Sequence, residues 1–100
     1  FGESVRPILN AAREAITNAA KHAGTGRVDV FAEVTPGEVA VFVRDRGVGF
    51  DPDDVATDRH GVRLSILDRM TRHGGRAEVT STPGQGTEVR LFLPLQEEIR

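Results

Sequence analysis

The residues able to do chemistry fall into four blocks along the chain. Glu14 and Asn18 stand four apart, with Lys21 and His22 close behind, and on a helix Glu14 and Asn18 project from one stripe. A carboxamide oxygen is a hard ligand suited to Mg²⁺. A carboxylate one turn earlier can orient or deprotonate a nucleophile, and Lys21 and His22 can donate to phosphate oxygens. The plain alternative is a solvated polar face opposite an apolar one.

Asp45 leads the second block, Asp45-Arg46-Gly47-Val48-Gly49-Phe50. Held at a strand end, its carboxylate can accept the exocyclic amino group of adenine, which guanine does not offer in that place. A buried acceptor left unpaired by the wrong base discriminates strongly. Gly47 and Gly49 let backbone approach a base and sugar closely, although Asp and Gly also favour ordinary strand-exit turns. Third, Gly61 follows Arg59 and His60 at an expected helix start, where free N–H groups and the positive dipole end suit phosphate. Arg59 and Arg63 can add charge there. The fourth block, Gly84-Gln85-Gly86-Thr87, reads first as a hairpin turn. Thr87 gains a binding role if that turn folds back beside Asp45.

These blocks need elements to hold them. Over residues 4–23, Leu9, Ala12, Ile16, Ala19 and Ala23 recur at helical spacing and predict an inward face, with Glu14, Asn18, Lys21 and His22 opposite. Gly24 and Gly26 supply a stop. Two strands follow, 28–34 and 38–44, with alternating Val residues and a turn at Pro36-Gly37. Residues 46–60 carry three Gly or Pro and four Asp with few apolar groups, which predicts a mobile loop. A second helix is predicted over 61–73, with Val62, Ile66, Leu67 and Met70 inward and Gly74-Gly75 ending it. Arg76–Ser81 and Thr87–Pro94 close the chain as a hairpin with Val89, Leu91 and Leu93 on its core face. The order α-β-β-α-β-β predicts an α/β (α+β) sandwich: a mixed or antiparallel sheet with helices on one side.

Composition excludes several classes. One hundred residues make one domain. A net charge of -2 gives no nucleic-acid footprint, which needs clustered cations without offsetting acids. Five Phe with no Trp or Tyr argue against a stacking platform for single strands. No apolar run approaches the length that spans a bilayer, so no membrane contact is expected of this segment. The absence of Cys excludes disulfides and thiolate metal sites and is compatible with a reducing cytoplasm. The three His match no zinc spacing. A chain that starts at Phe1 rather than Met suggests a domain excised from something larger.

Taken together, Arg13-Glu14-Ala15-Ile16-Thr17-Asn18-Ala19-Ala20-Lys21-His22-Ala23, Asp45-Arg46-Gly47-Val48-Gly49-Phe50, His60-Gly61-Val62-Arg63 and Gly84-Gln85-Gly86-Thr87 resemble the blocks of the GHKL ATPase superfamily. More narrowly, they resemble the catalytic ATP-binding domain of bacterial two-component sensor histidine kinases. The similarity covers about residues 5–94, and the ExxxNxxKH block is its most specific part. It implies a Bergerat-type two-layer sandwich that binds ATP with Mg²⁺ under a lid matching residues 51–60. By that resemblance Asn18 ligates magnesium, Asp45 binds adenine, and Glu14 supports phosphoryl transfer. Lys21 and His22 fall where the family contacts phosphate or ribose. Two departures stand out: Leu64 occupies the place of a glycine in the third block, and the lid is short.

The expected function is phosphoryl transfer from ATP to a histidine on a separate dimerisation domain, which this chain lacks. A downstream response regulator and a cytoplasmic location are implied with it. The rivals are a serine kinase acting on a protein antagonist, from the same superfamily, and a nucleotide sensor without catalysis. The pair Lys21-His22 after Asn18 leans toward the histidine kinases.

Overall fold

The computed structural model describes residues 5–22, 27–49 and 58–95, with backbone alone at residue 22 and residues 58–62. Helix α1 spans Arg6–His22. Its alanines are the strongest helix formers, and Pro7 falls in the first turn, where no intrahelical N–H is lost. The buried residues of α1 are Ile8, Ala11, Ala12, Ala15 and Ala19. This corrects the predicted inward face: at 100° per residue the observed face is turned by about 60° from it. Leu9 and Ile16 are 57% and 36% exposed. Small alanines let α1 sit close to both the sheet and the second helix, and the larger apolar side chains fall on the outer flank. Glu14 and Asn18 are consequently half-buried beside the core rather than solvated opposite it. Ala23 and the stop at Gly24 and Gly26 lie outside the described residues.

Strands β1 (Asp29–Thr35) and β2 (Glu38–Asp45) form a hairpin around Pro36-Gly37. Thr35 pairs with Glu38 across the turn. Helix α2 (Asp58–Arg72) precedes β3 (Arg76–Ser81) and β4 (Thr87–Pro94). The sheet order is β1-β2-β4-β3 and every pairing is antiparallel, which settles the choice between a mixed and an antiparallel sheet.

Both helices lie on one face of this sheet. α1 packs on β2 and β4, α2 on β3 and β4, and the helices touch each other. Val39, Val41 and Val43 of β2 and Val89, Leu91 and Leu93 of β4 meet Ile8, Ile66 and Met70 in the core. Val30 and Val34 of β1 pair with Val43 and Val39 yet stay exposed, because neither helix reaches over the edge strand. On the outer face Phe31, Phe42 and Phe92 form a row of ring contacts that covers Ala40.

α2 starts at Asp58, three residues before the predicted start. Gly61 therefore lies inside its first turn instead of opening it, and residues 58–60, assigned to the lid by the sequence, are helical. The remaining lid positions 51–57 lie outside the described residues. The C-terminus follows the prediction: Gly75 N–H donates to Met70 O at 2.8 Å and Gly74 N–H to Thr71 O at 3.1 Å. With Gly74 at a φ of 81° this is a Schellman ending, which glycine adopts without steric cost.

Candidate functional site

Three buried polar residues, Asp45, Ser81 and Thr87, gather at one end of an otherwise apolar layer. Strand parity puts them on the helix side, in the rows Val39-Val41-Val43, Ala77-Val79 and Val89-Leu91-Leu93. Thr87 pairs directly with Asp45 across β2–β4 and with Ser81 across β3–β4. The condition attached to Thr87 is thus met.

The carboxylate of Asp45, only 3% exposed, is anchored by its own loop. Gly47 N–H donates to Oδ1 at 2.9 Å, as Asp does in an Asx turn. On the other strand the Ser81 hydroxyl donates to Gly86 O at 3.1 Å and lies 2.8 Å from Thr87 Oγ1. A hydroxyl has one proton, so with Ser81 donating to Gly86 O, the Ser81–Thr87 contact is compatible with Thr87 as its donor. A carboxyl group and two hydroxyls thus share one sheet end, an arrangement able to meet a donor such as an exocyclic amino group.

The glycines hold the two loops against each other. Gly84 N–H donates to Val48 O at 2.7 Å. A Cβ on Gly49, at a φ of 64°, would stand 2.2 Å from Thr82 O, and one on Gly86, at a φ of 86°, would stand 2.2 Å from Asp45 O. For Gly49 the structure supplies a reason the sequence reading missed: it admits the close approach of a neighbouring turn. Gly86 and Ser81 were missed as members of the site. The signal for Ser81 was present, since it continues the inward parity of Ala77 and Val79 at a strand end. A hollow of about 200 Å³ at this sheet end is bordered by Asp45, Ser81, Gly86 and Thr87, and also by Arg44, Thr80 and Glu88, which alternate onto the outer face.

The second cluster lies between the helices. Glu14 Oε1 accepts from Ser65 Oγ at 3.4 Å and sits 3.5 Å from an Arg69 guanidinium nitrogen. Arg6 and Pro7 border a hollow of about 360 Å³ together with Arg72 and His73, so α1 and α2 run antiparallel. Asn18, one turn beyond Glu14, accordingly lies toward the first turn of α2, where Arg59 and Gly61 are placed. The structure thus brings Glu14, Asn18 and the helix start together. Lys21 is exposed at the end of α1; the side chains of His22 and Arg59 lie outside the described residues.

Asn18 Oδ1 is buried and has no hydrogen-bond partner among the described residues. A buried carbonyl oxygen left so costs about 1–3 kcal/mol, which a hard cation would offset. Among the described residues no cluster of three or more His, Asp or Glu is arranged to hold a metal alone. Mg²⁺ bound mainly by phosphates and water needs no such cage, so one amide oxygen fits it. The Nε of Arg63 on α2 is likewise buried without a partner among the described residues.

Comparison with known proteins adds the lineage. Residues 3–97 match the family described as histidine kinase-, DNA gyrase B-, and HSP90-like ATPase. An uncharacterized sensor-like histidine kinase of Chloroflexus aurantiacus is 37% identical over 94 residues, covering 89% of this chain and 16% of that protein. The sensor histidine kinase LiaS of Bacillus subtilis is 30% identical over 91 residues, covering 91% of this chain and 25% of LiaS. The chain therefore spans a quarter or less of the length of these two relatives. Among solved structures, a blue-light activated histidine kinase of Erythrobacter litoralis EL346 superposes with a TM-score of 0.72 at 29% identity, covering 93% of this chain and 31% of that one. Its isolated histidine kinase domain gives a TM-score of 0.68 at 27% identity, covering 93% of this chain and 45% of that one.

Proposed function

Because this chain belongs to the histidine kinase-, DNA gyrase B- and HSP90-like ATPase family, we propose that it binds Mg-ATP and donates the γ-phosphoryl group to a histidine on a separate dimerisation domain. The observation that carries this reading is the buried pair of Asp45 and Thr87 at the sheet end, beside two glycine-held loops. Asp45 accepts the adenine amino group and Thr87 adds a second acceptor. The first turn of α2, with Arg59 and Gly61, receives phosphate at the positive end of its dipole. Lys21 and His22, at the end of α1, are assigned to contact phosphate or ribose.

Asn18 holds the magnesium ion through Oδ1. When bound, magnesium supplies positive charge against the triphosphate. The chain's own contribution is positioning and electrostatics, which is most of what phosphoryl transfer asks of a protein. Glu14, one turn from Asn18, accepts the N–H of the incoming imidazole and orients its other nitrogen toward the γ-phosphorus. The acceptor histidine belongs to a helical domain of a longer kinase, and the phosphate passes from there to a response regulator. Such a domain works where ATP is, in the cytoplasm. Among the described residues no helix is long and apolar enough to cross a membrane.

The test is to supply labelled ATP and a histidine-bearing dimerisation domain. Acid-labile phosphate on that domain, lost with Asp45→Asn, supports the proposal. Acid-stable phosphate on serine, or ATP binding without transfer, would replace it.

A further inference from the structure

We propose that Arg69 is a positioning residue for the reaction and acts through Glu14. The inference rests on the reading of Glu14 given above and goes one residue beyond it. Arg69 sits on α2 next to Met70, which is fully buried, and one turn after the buried Ile66. Its backbone is therefore fixed by the core, and its guanidinium reaches Glu14 from a rigid base. Ser65, one turn earlier on α2, reaches the same carboxylate.

Both contacts fall on a single oxygen, Oε1. Neither contact uses Oε2, the oxygen assigned to an incoming imidazole. A Glu side chain has three rotatable bonds and, without such a hold, would sample several rotamers. The pair is also partly open, with side-chain exposures of 36% for Arg69 and 28% for Glu14. An ion pair that accessible adds little to stability, so orientation of Glu14 is the larger consequence of its geometry.

The experiment is a double-mutant cycle on autophosphorylation, with the chain joined to its phosphoacceptor domain. kcat and KM for ATP are measured for the parent, Arg69→Ala, Arg69→Lys, Glu14→Gln and the double variant Arg69→Ala/Glu14→Gln. Thermal melting and affinity for an ATP analogue report on folding in parallel. Loss of orientation is expected to lower kcat roughly ten- to a hundredfold, the scale on which small misplacements act, with KM and analogue affinity unchanged. Arg69→Lys, which keeps a cation on a flexible stem, should recover most of that loss. In the Glu14→Gln background Arg69→Ala should have no further effect. An equal fall in both backgrounds, an unchanged kcat, or a faster reaction would each overturn the proposal. If Glu14→Gln is slow but Arg69→Ala is not, this inference fails alone. If Glu14→Gln is itself silent while ATP still binds, the reading of Glu14 fails with it.

Discussion

Asp45 and Thr87 are direct cross-strand partners, the last residue of β2 against the first of β4. Forty-two positions apart in the chain, they become neighbours because β4 enters the sheet between β2 and β3. This insertion turns a strand-exit carboxylate and a hairpin threonine into one acceptor pair. Thr87→Val keeps the shape and removes the hydroxyl together with its 2.8 Å contact to Ser81 Oγ. ATP affinity is expected to fall about tenfold, the value of one net hydrogen bond at the upper end of the usual range. Isothermal titration with ATP checks this.

The two glycines with positive φ in the β3–β4 turn make a matched pair. A Cβ at Gly86 would collide with the backbone oxygen of Asp45, whereas one at Gly84 meets nothing within 4 Å, although its φ is 81°. Gly84→Ala should cost about 1 kcal/mol, the penalty for a left-handed non-glycine residue. Gly86→Ala adds displacement of Asp45 and should cost more than twice that, with loss of nucleotide binding. Urea unfolding of the two variants gives the comparison.

At Asn18 stability and function pull in opposite directions. Asn18→Leu removes the orphaned buried oxygen, so the nucleotide-free domain should gain about 1–3 kcal/mol. The same change should abolish the magnesium dependence of ATP binding. Melting curves without nucleotide, together with titrations with and without Mg²⁺, read out both effects.

Leu64, which stands where the resemblance leads one to expect glycine, is 48% exposed on α2. It turns away from Ile66 and Met70, which face the core. Leu64→Gly should therefore leave ATP affinity unchanged while destabilising the helix by roughly 0.5–1 kcal/mol through lost propensity. Tighter binding by this variant would show that the leucine obstructs phosphate.

What could be read from the sequence followed locality. The hairpin Arg76–Ser81 and Thr87–Pro94 was predicted with its observed limits, since alternation and a Pro-Gly turn are local signals. The face of α1 was misplaced because Leu9 and Ile16 look like core residues, and alanines are recognisable as core only once the sheet and α2 press on them. The start of α2 was set late because residues 58–60 carry no apolar signal. The meeting of Asp45 with Thr87, and of Glu14 with Arg69, depends on pairings between distant segments that no periodicity encodes. The chemistry-bearing blocks were legible because their residue types are unusual for plain turns and helices. The pairing of the second block with the fourth was not.

The most direct test of the nucleotide site is titration of a fluorescent ATP analogue with Mg²⁺ into the unaltered chain and into Asp45→Asn. The account predicts magnesium-dependent binding that ATP displaces and GTP does not. It also predicts that the variant, with its single carboxamide oxygen in place of the carboxylate, loses affinity by on the order of a hundredfold while staying folded. Equal affinity in the two proteins, or equal displacement by ATP and GTP, would contradict the assignment of Asp45 and with it the central claim.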